Sequence, residues 1–140
     1  MAAEPQDPQR PAKGGEDLFA RGERKRRKVV GDEYVERALG GVTDFDRDWQ
    51  RVLTEYCWGE VWNGTALTDR QRSLQTLCLL GALNRGPEFE THFRGALRNG
   101  CTPEELRETL LQIAIYAGVP AGVEAFRIAR RVLSEHDQTA

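Results

Sequence analysis

Histidine, methionine and cysteine are scarce in this 140-residue sequence, with two, one and three copies respectively. Cys57, Cys78 and Cys101 are an odd number and lie more than twenty residues apart, so they form neither a disulfide framework nor a Cys-x-x-Cys pair. They read as small buried hydrophobes in a reducing compartment. A structural zinc site needs Cys and His in close-spaced pairs, and the sequence has no such cluster. Long apolar runs are missing as well. The longest, residues 110–123, is interrupted by Gln112, Gly118 and Pro120 and falls short of the ~18 apolar residues a membrane span requires. The N-terminus lacks the continuous apolar core of a signal peptide, which makes the cytoplasm the expected compartment. Nor is there an excess of positive charge. Twenty Lys and Arg against 22 Asp and Glu leave a net charge of −2, unlike most nucleic-acid or membrane-surface binders.

What is present reads as helix. Residues 1–15 hold three of the six prolines and almost no large apolar side chain, and are expected to form a mobile arm ahead of one domain over residues 16–137. The basic run Arg24-Lys25-Arg26-Arg27-Lys28 is short and flanked by acids, so a solvated helix face or subunit contact suits it better than a nucleic-acid patch. Phe45, Trp49, Val52 and Tyr56 recur at helical spacing and predict an apolar stripe over residues 44–58. Thr68 with Gln71, and Thr102 with Glu105, are capping-box patterns that open two further helices, the second with Pro103 at its first position. Gly118-Val119-Pro120 ends that helix, and residues 121–135 predict the last one. No stretch alternates with the period of two that a strand requires, so the expected fold is all-α. Leu74, Leu77, Cys78, Leu80 and Leu83 cover more than one helix face, as do the apolar residues between Leu106 and Ala117. A short chain has few layers with which to bury such helices, so a homo-oligomer is expected.

Candidate polar groups gather in two places. Glu60 stands among Tyr56, Trp58, Val61 and Trp62, where apolar surroundings would let a carboxyl keep its proton and act as an acid; the plain alternative is an exposed Glu at a helix end. Glu88 and His92 are four apart, which suits either a carboxylate orienting an imidazole for proton transfer or an ordinary surface ion pair. Arg70, Arg72 and Arg85 bracket the intervening helix, and their forks match a carboxylate-bearing substrate. Gln75, in an otherwise apolar run, needs a polar partner that a ligand cavity or a neighbouring helix would supply. The residues alone therefore describe a small helical oligomer with a polar pocket for an anion.

The series Tyr56-Cys57-Trp58-Gly59-Glu60-Val61-Trp62, Arg72-Ser73-Leu74, His92-Phe93-Arg94-Gly95-Ala96, Asn99-Gly100 and Tyr116-Ala117-Gly118-Val119-Pro120-Ala121 resembles the 4-carboxymuconolactone decarboxylase family over about residues 17–135. The resemblance implies an alkyl hydroperoxidase D-like helical bundle, commonly a homohexamer. It also implies decarboxylation without metal or organic cofactor, converting 4-carboxymuconolactone to 3-oxoadipate enol-lactone in the protocatechuate branch of the β-ketoadipate pathway. The redox branch of that superfamily carries Cys-x-x-Cys shortly before its His; Gly86-Pro87-Glu88-Phe89-Glu90-Thr91 stands there instead, which excludes that chemistry. On this resemblance Arg72, assisted by Arg70 or Arg85, holds a small anionic lactone. His92 polarises the lactone oxygen or donates the proton, Glu88 orients His92, and Glu60 is the rival acid. Two departures stand near the expected pocket. Asn63-Gly64-Thr65-Ala66 replaces an Arg-Pro-Gly-containing loop, and Gln75 replaces an aliphatic residue. They leave room for a member recruited to a biosynthetic pathway with a different lactone or carboxylate, and a non-catalytic helical scaffold is the third reading.

Overall fold

The computed structural model describes residues 17–139, and every regular element among them is helical. α1 (Leu18–Val30) and α2 (Asp32–Gly40) precede α3 (Arg47–Val52), which runs directly into a wide π-helical segment, Leu53–Glu60, and a 3₁₀ turn, Val61–Asn63. α4 (Asp69–Ala82), α5 (Gly86–Arg98), α6 (Pro103–Ala117) and α7 (Val119–Thr139) follow. The all-α expectation holds; the arm expected over residues 1–15 lies outside the described residues. Among the described residues no helix is long and apolar enough to cross a membrane.

Both capping boxes form. The Gln71 amide donates to Thr68 Oγ1 at 3.2 Å while the Thr68 amide donates to Gln71 Oε1 at 2.9 Å. Thr102 and Glu105 exchange the same pair at 3.2 and 2.8 Å. Each box satisfies two amides that a helix start would leave orphaned. Since the first box fixes where α4 begins, it also fixes where Arg72 emerges. Between α6 and α7 the chain breaks at Gly118, whose φ of 106° suits a residue without a Cβ. α7 then starts at once, two residues earlier than the pattern predicted, with Pro120 in its first turn.

The core has two parts. Leu77, Phe89, Phe93, Leu106, Leu110, Ile113, Ile128 and Val132 fill the space among α4, α5, α6 and α7. Val29, Val30, Val35, Trp58 and Trp62 join α1 and α2 to the π segment. α5 ties the parts together: its Phe89 and Phe93 enter the larger core, while Arg98 donates to the Val29 carbonyl of α1 at 3.3 Å.

Two local expectations change. The stripe predicted over residues 44–58 is not buried, since Phe45 is 99% and Trp49 60% exposed. Phe45 lies in the turn before α3, and the widening at Leu53 shifts the inward positions to Thr54 and Trp58. The basic run is also no simple solvated face. Lys25 and Lys28 both pair with Asp69, Arg27 pairs with Glu23 and Glu36, and Arg26 is buried, donating to Gln50 at 3.0 Å.

Candidate active site

The site begins with the close approach of α1 to the π segment. A Cβ on Gly22 would stand 1.9 Å from the Thr54 carbonyl oxygen, so only glycine lets these two elements meet. π-helical turns concentrate at functional sites because they re-aim side chains that an α-helix would space regularly. Here the segment places Trp58 four residues before Trp62 of the 3₁₀ turn, with ring centroids 5.1 Å apart. Asn63 then secures the end of the segment, its amide donating to the carbonyls of Trp58 at 2.7 Å and Gly59 at 3.1 Å.

His92 projects from α5 against this pair. Its ring lies nearly parallel to Trp58, at 5.9 Å and 6°, and to Trp62, at 6.0 Å and 19°. Stacking at these separations fixes the imidazole plane without a hydrogen bond. Burial pushes its pKa down from 6.5 to about 4, so the ring is neutral at pH 7 and offers one N–H donor and one acceptor nitrogen. Nδ1 is buried and has no hydrogen-bond partner. A buried orphan of this kind asks for an explanation, and a ligand group is the natural one in a catalytic setting.

Arg72 carries a second orphan. Its Nε is buried without an acceptor, and among the described residues it forms no ion pair. Its guanidinium lies against Gly64, two residues past Trp62, so the short loop into α4 joins the arginine to the aromatic stack. Beside it on α4, fully buried Ser73 accepts a bond from Asn99 Nδ2 at 2.9 Å, and Asn99 Oδ1 is a further buried orphan.

Of the residues singled out in the sequence, His92 and Arg72 come to this neighbourhood and most others do not. Glu88 is exposed and makes no hydrogen bond or ion pair with His92 among the described residues; the two Trp rings, not a carboxylate, hold the imidazole. Glu60 is exposed at the end of the π segment, outside the apolar enclosure invoked for it. Arg70 is engaged by Glu105, and Arg85 is exposed ahead of α5. Gln75 is exposed on an open groove of about 580 Å³ that it shares with Leu74, Cys78, Leu79, Thr109 and Gln112. Asn63, Gly64 and Asn99 stand in segments that the sequence reading quotes, but it assigns none of them to the site, and nothing local announces the bond from Asn99 to Ser73.

A cleft of about 760 Å³ lies elsewhere, between the end of α1, α2 and α5. Its Arg27, Arg37 and Arg94 are answered by Glu23, Glu33 and Glu90, so it is a surface of paired charges without His92, Arg72 or either tryptophan.

Residues 47–131, from α3 into α7, match the family described as "Carboxymuconolactone decarboxylase family". A nitrosuccinic acid decarboxylase of Metarhizium robertsii is 41% identical over 118 residues, covering 84% of this chain and 82% of that protein. A 4-carboxymuconolactone decarboxylase of Acinetobacter baylyi is 37% identical over 120 residues, covering 86% and 90%. The matched span includes the π segment, Arg72 and His92, and on these grounds the chain belongs to the carboxymuconolactone decarboxylase family and is an enzyme of the carboxy-lyase class.

Proposed function

We propose that this enzyme decarboxylates 4-carboxymuconolactone to 3-oxoadipate enol-lactone, using its own side chains and working as a homo-oligomer. The observation that carries the reading is the neutral, half-buried His92 stacked against a tryptophan pair, one short loop away from an arginine that has no anionic partner among the described residues. The substrate is a dianion. Its departing carboxylate sits on a ring carbon joined through a C=C to the lactone carbonyl. Loss of CO₂ sends the C–C bond pair through that system onto the carbonyl oxygen, and a proton then adds to the carbon next to the carbonyl. Arg72 suits the carboxylate that stays, through its charge-assisted fork. A neutral imidazole N–H suits the oxygen on which charge grows, because it is held in place before the reaction and needs no reorganisation.

A second reading is favoured by the Asn63–Ala66 loop and by the relative named for nitrosuccinic acid. Nitrosuccinate is also a dianion, and loss of the carboxylate beside its nitro group places the electron pair on nitro oxygens before the carbon is protonated. The demands on the protein are the same: bind two negative charges, stabilise charge on oxygen, protonate carbon. Incubating the protein with each compound while following CO₂ separates the readings. Turnover of 4-carboxymuconolactone with enol-lactone formation supports the first, turnover of nitrosuccinate alone supports the second, and turnover of neither refutes both.

The oligomer is supported by apolar surface left open on α4, α6 and α7. Leu79 is 63%, Ile115 80%, Tyr116 86% and Val119 70% exposed, more than a lone small domain normally leaves to water. Light scattering should report a multiple of the 15.8 kDa chain; a stable monomer at micromolar concentration contradicts this part of the proposal.

A further inference from the structure

Gly64 stands in the loop between Trp62 and α4, with φ of −58° and ψ of 143°. Any L-residue adopts that backbone, so the conformation does not call for glycine. What excludes a side chain is Arg72. A Cβ on Gly64 would lie 2.4 Å from Arg72 Nη2 and 3.5 Å from Cζ, inside the volume the guanidinium already fills. Because the obstructing atom is the tip of a long side chain, an added methyl group would displace the guanidinium and leave the loop in place. Two residues of chain, about 7 Å at most, separate Gly64 from Trp62, whose ring stacks on His92.

We infer that Gly64 is the positioning residue that sets Arg72 for the non-departing carboxylate of a dianionic substrate, and so selects dianions over monoanions. This rests on the decarboxylase reading for its substrate class, but the placement is a matter of this chain's own packing. Arg72 has no carboxylate of its own among the described residues, and its Nε is buried without an acceptor. A guanidinium packed against a glycine backbone, with no acceptor among the described residues, is preorganised for an incoming carboxylate at little entropic cost. A larger residue at position 64 would turn the fork away and leave the substrate's second charge unanswered.

Binding of succinate, a dianion, and propionate, a monoanion, tests this by calorimetry without depending on turnover. The wild type should bind succinate at least about tenfold more tightly than propionate, as a charge-assisted fork to the second carboxylate requires. Gly64→Ala should erase most of that preference, with propionate affinity within about twofold and the thermal midpoint unchanged. Arg72→Ala should lose the same preference, and the double variant should lose no more than either single one, because both changes remove one interaction. Guanidinium ion should restore succinate binding to Arg72→Ala but not to the double variant, in which the methyl group fills its place. Additive losses, equal weakening of both anions in Gly64→Ala, guanidinium rescue of the double variant, or no succinate preference in the wild type each overturn the inference. Should the double variant not fold, Gly64→Ala decides alone: loss of the succinate preference with propionate binding retained supports the inference, and a retained preference overturns it. Failure of the decarboxylase reading is seen separately, as absence of CO₂ release.

Discussion

Acid should set His92 against its own burial. The free imidazole takes up a proton near 6.5, whereas burial holds His92 at about 4. That gap is equivalent to about 3 kcal/mol of preference for the neutral ring in the folded chain. As the pH falls from 7, the unfolded chain binds the proton first, so the contribution runs against folding and grows through the window from 6.5 to 4. Above 7 it vanishes; by pH 4.5 the linkage amounts to about 2 kcal/mol. His92→Phe keeps an aromatic ring against Trp58 and Trp62 but cannot titrate. Urea unfolding of both proteins at pH 7 and 4.5, at equal subunit concentration, isolates the term as a double difference, cancelling the carboxylates that also titrate. The wild type should lose about 2 kcal/mol more than His92→Phe over that interval. With only two histidines in the chain, a His136→Asn variant assigns the His92 proton resonance directly. An equal acid loss in both proteins, or a His92 resonance titrating near 6.5, refutes the burial argument. The same sign applies to activity: kcat/KM should hold from pH 7 to 5.5 as far as His92 is concerned, since it stays neutral there.

Three further outcomes follow from the packing. Arg72→Ala should raise KM by about tenfold or more in steady-state assays, because an unanswered carboxylate loses a charge-assisted bond. Glu88→Gln should leave kcat within about twofold, because Glu88 does not touch His92; a large loss would reinstate it as the orienting carboxylate. Gly22→Ala should cost at least about 2 kcal/mol in thermal unfolding, since the new methyl group meets the Thr54 backbone at 1.9 Å and neither element can give way.

Much of the scaffold was legible in the sequence because its signals are local. Thr68 with Gln71 and Thr102 with Glu105 mark helix starts through bonds made within four residues, and both form. Gly118 marks a break for a reason of backbone geometry alone. The stripe through Phe45 and Trp49 misled because periodicity assumes a uniform helix, and the turn at Leu53 is a π turn that no residue pattern announces. In the candidate site, His92 and Arg72 can be singled out by residue type. Their surroundings depend on contacts between distant segments: α5 onto the π segment for His92, and the loop glycine onto α4 for Arg72. The Glu88–His92 pairing failed for a related reason. Helical spacing makes such a bond available, but the Trp rings hold His92 and Glu88 remains with solvent.

The central claim is that decarboxylation takes place against the Trp58–Trp62–His92 stack, and single-turnover CO₂ release with wild type and His92→Ala tests it most directly. With whichever of 4-carboxymuconolactone and nitrosuccinate the wild type turns over, the variant should release CO₂ about 10²-fold more slowly while keeping its helical spectrum and assembly size. Release by His92→Ala at the wild-type rate would contradict the account and move the chemistry away from the stack.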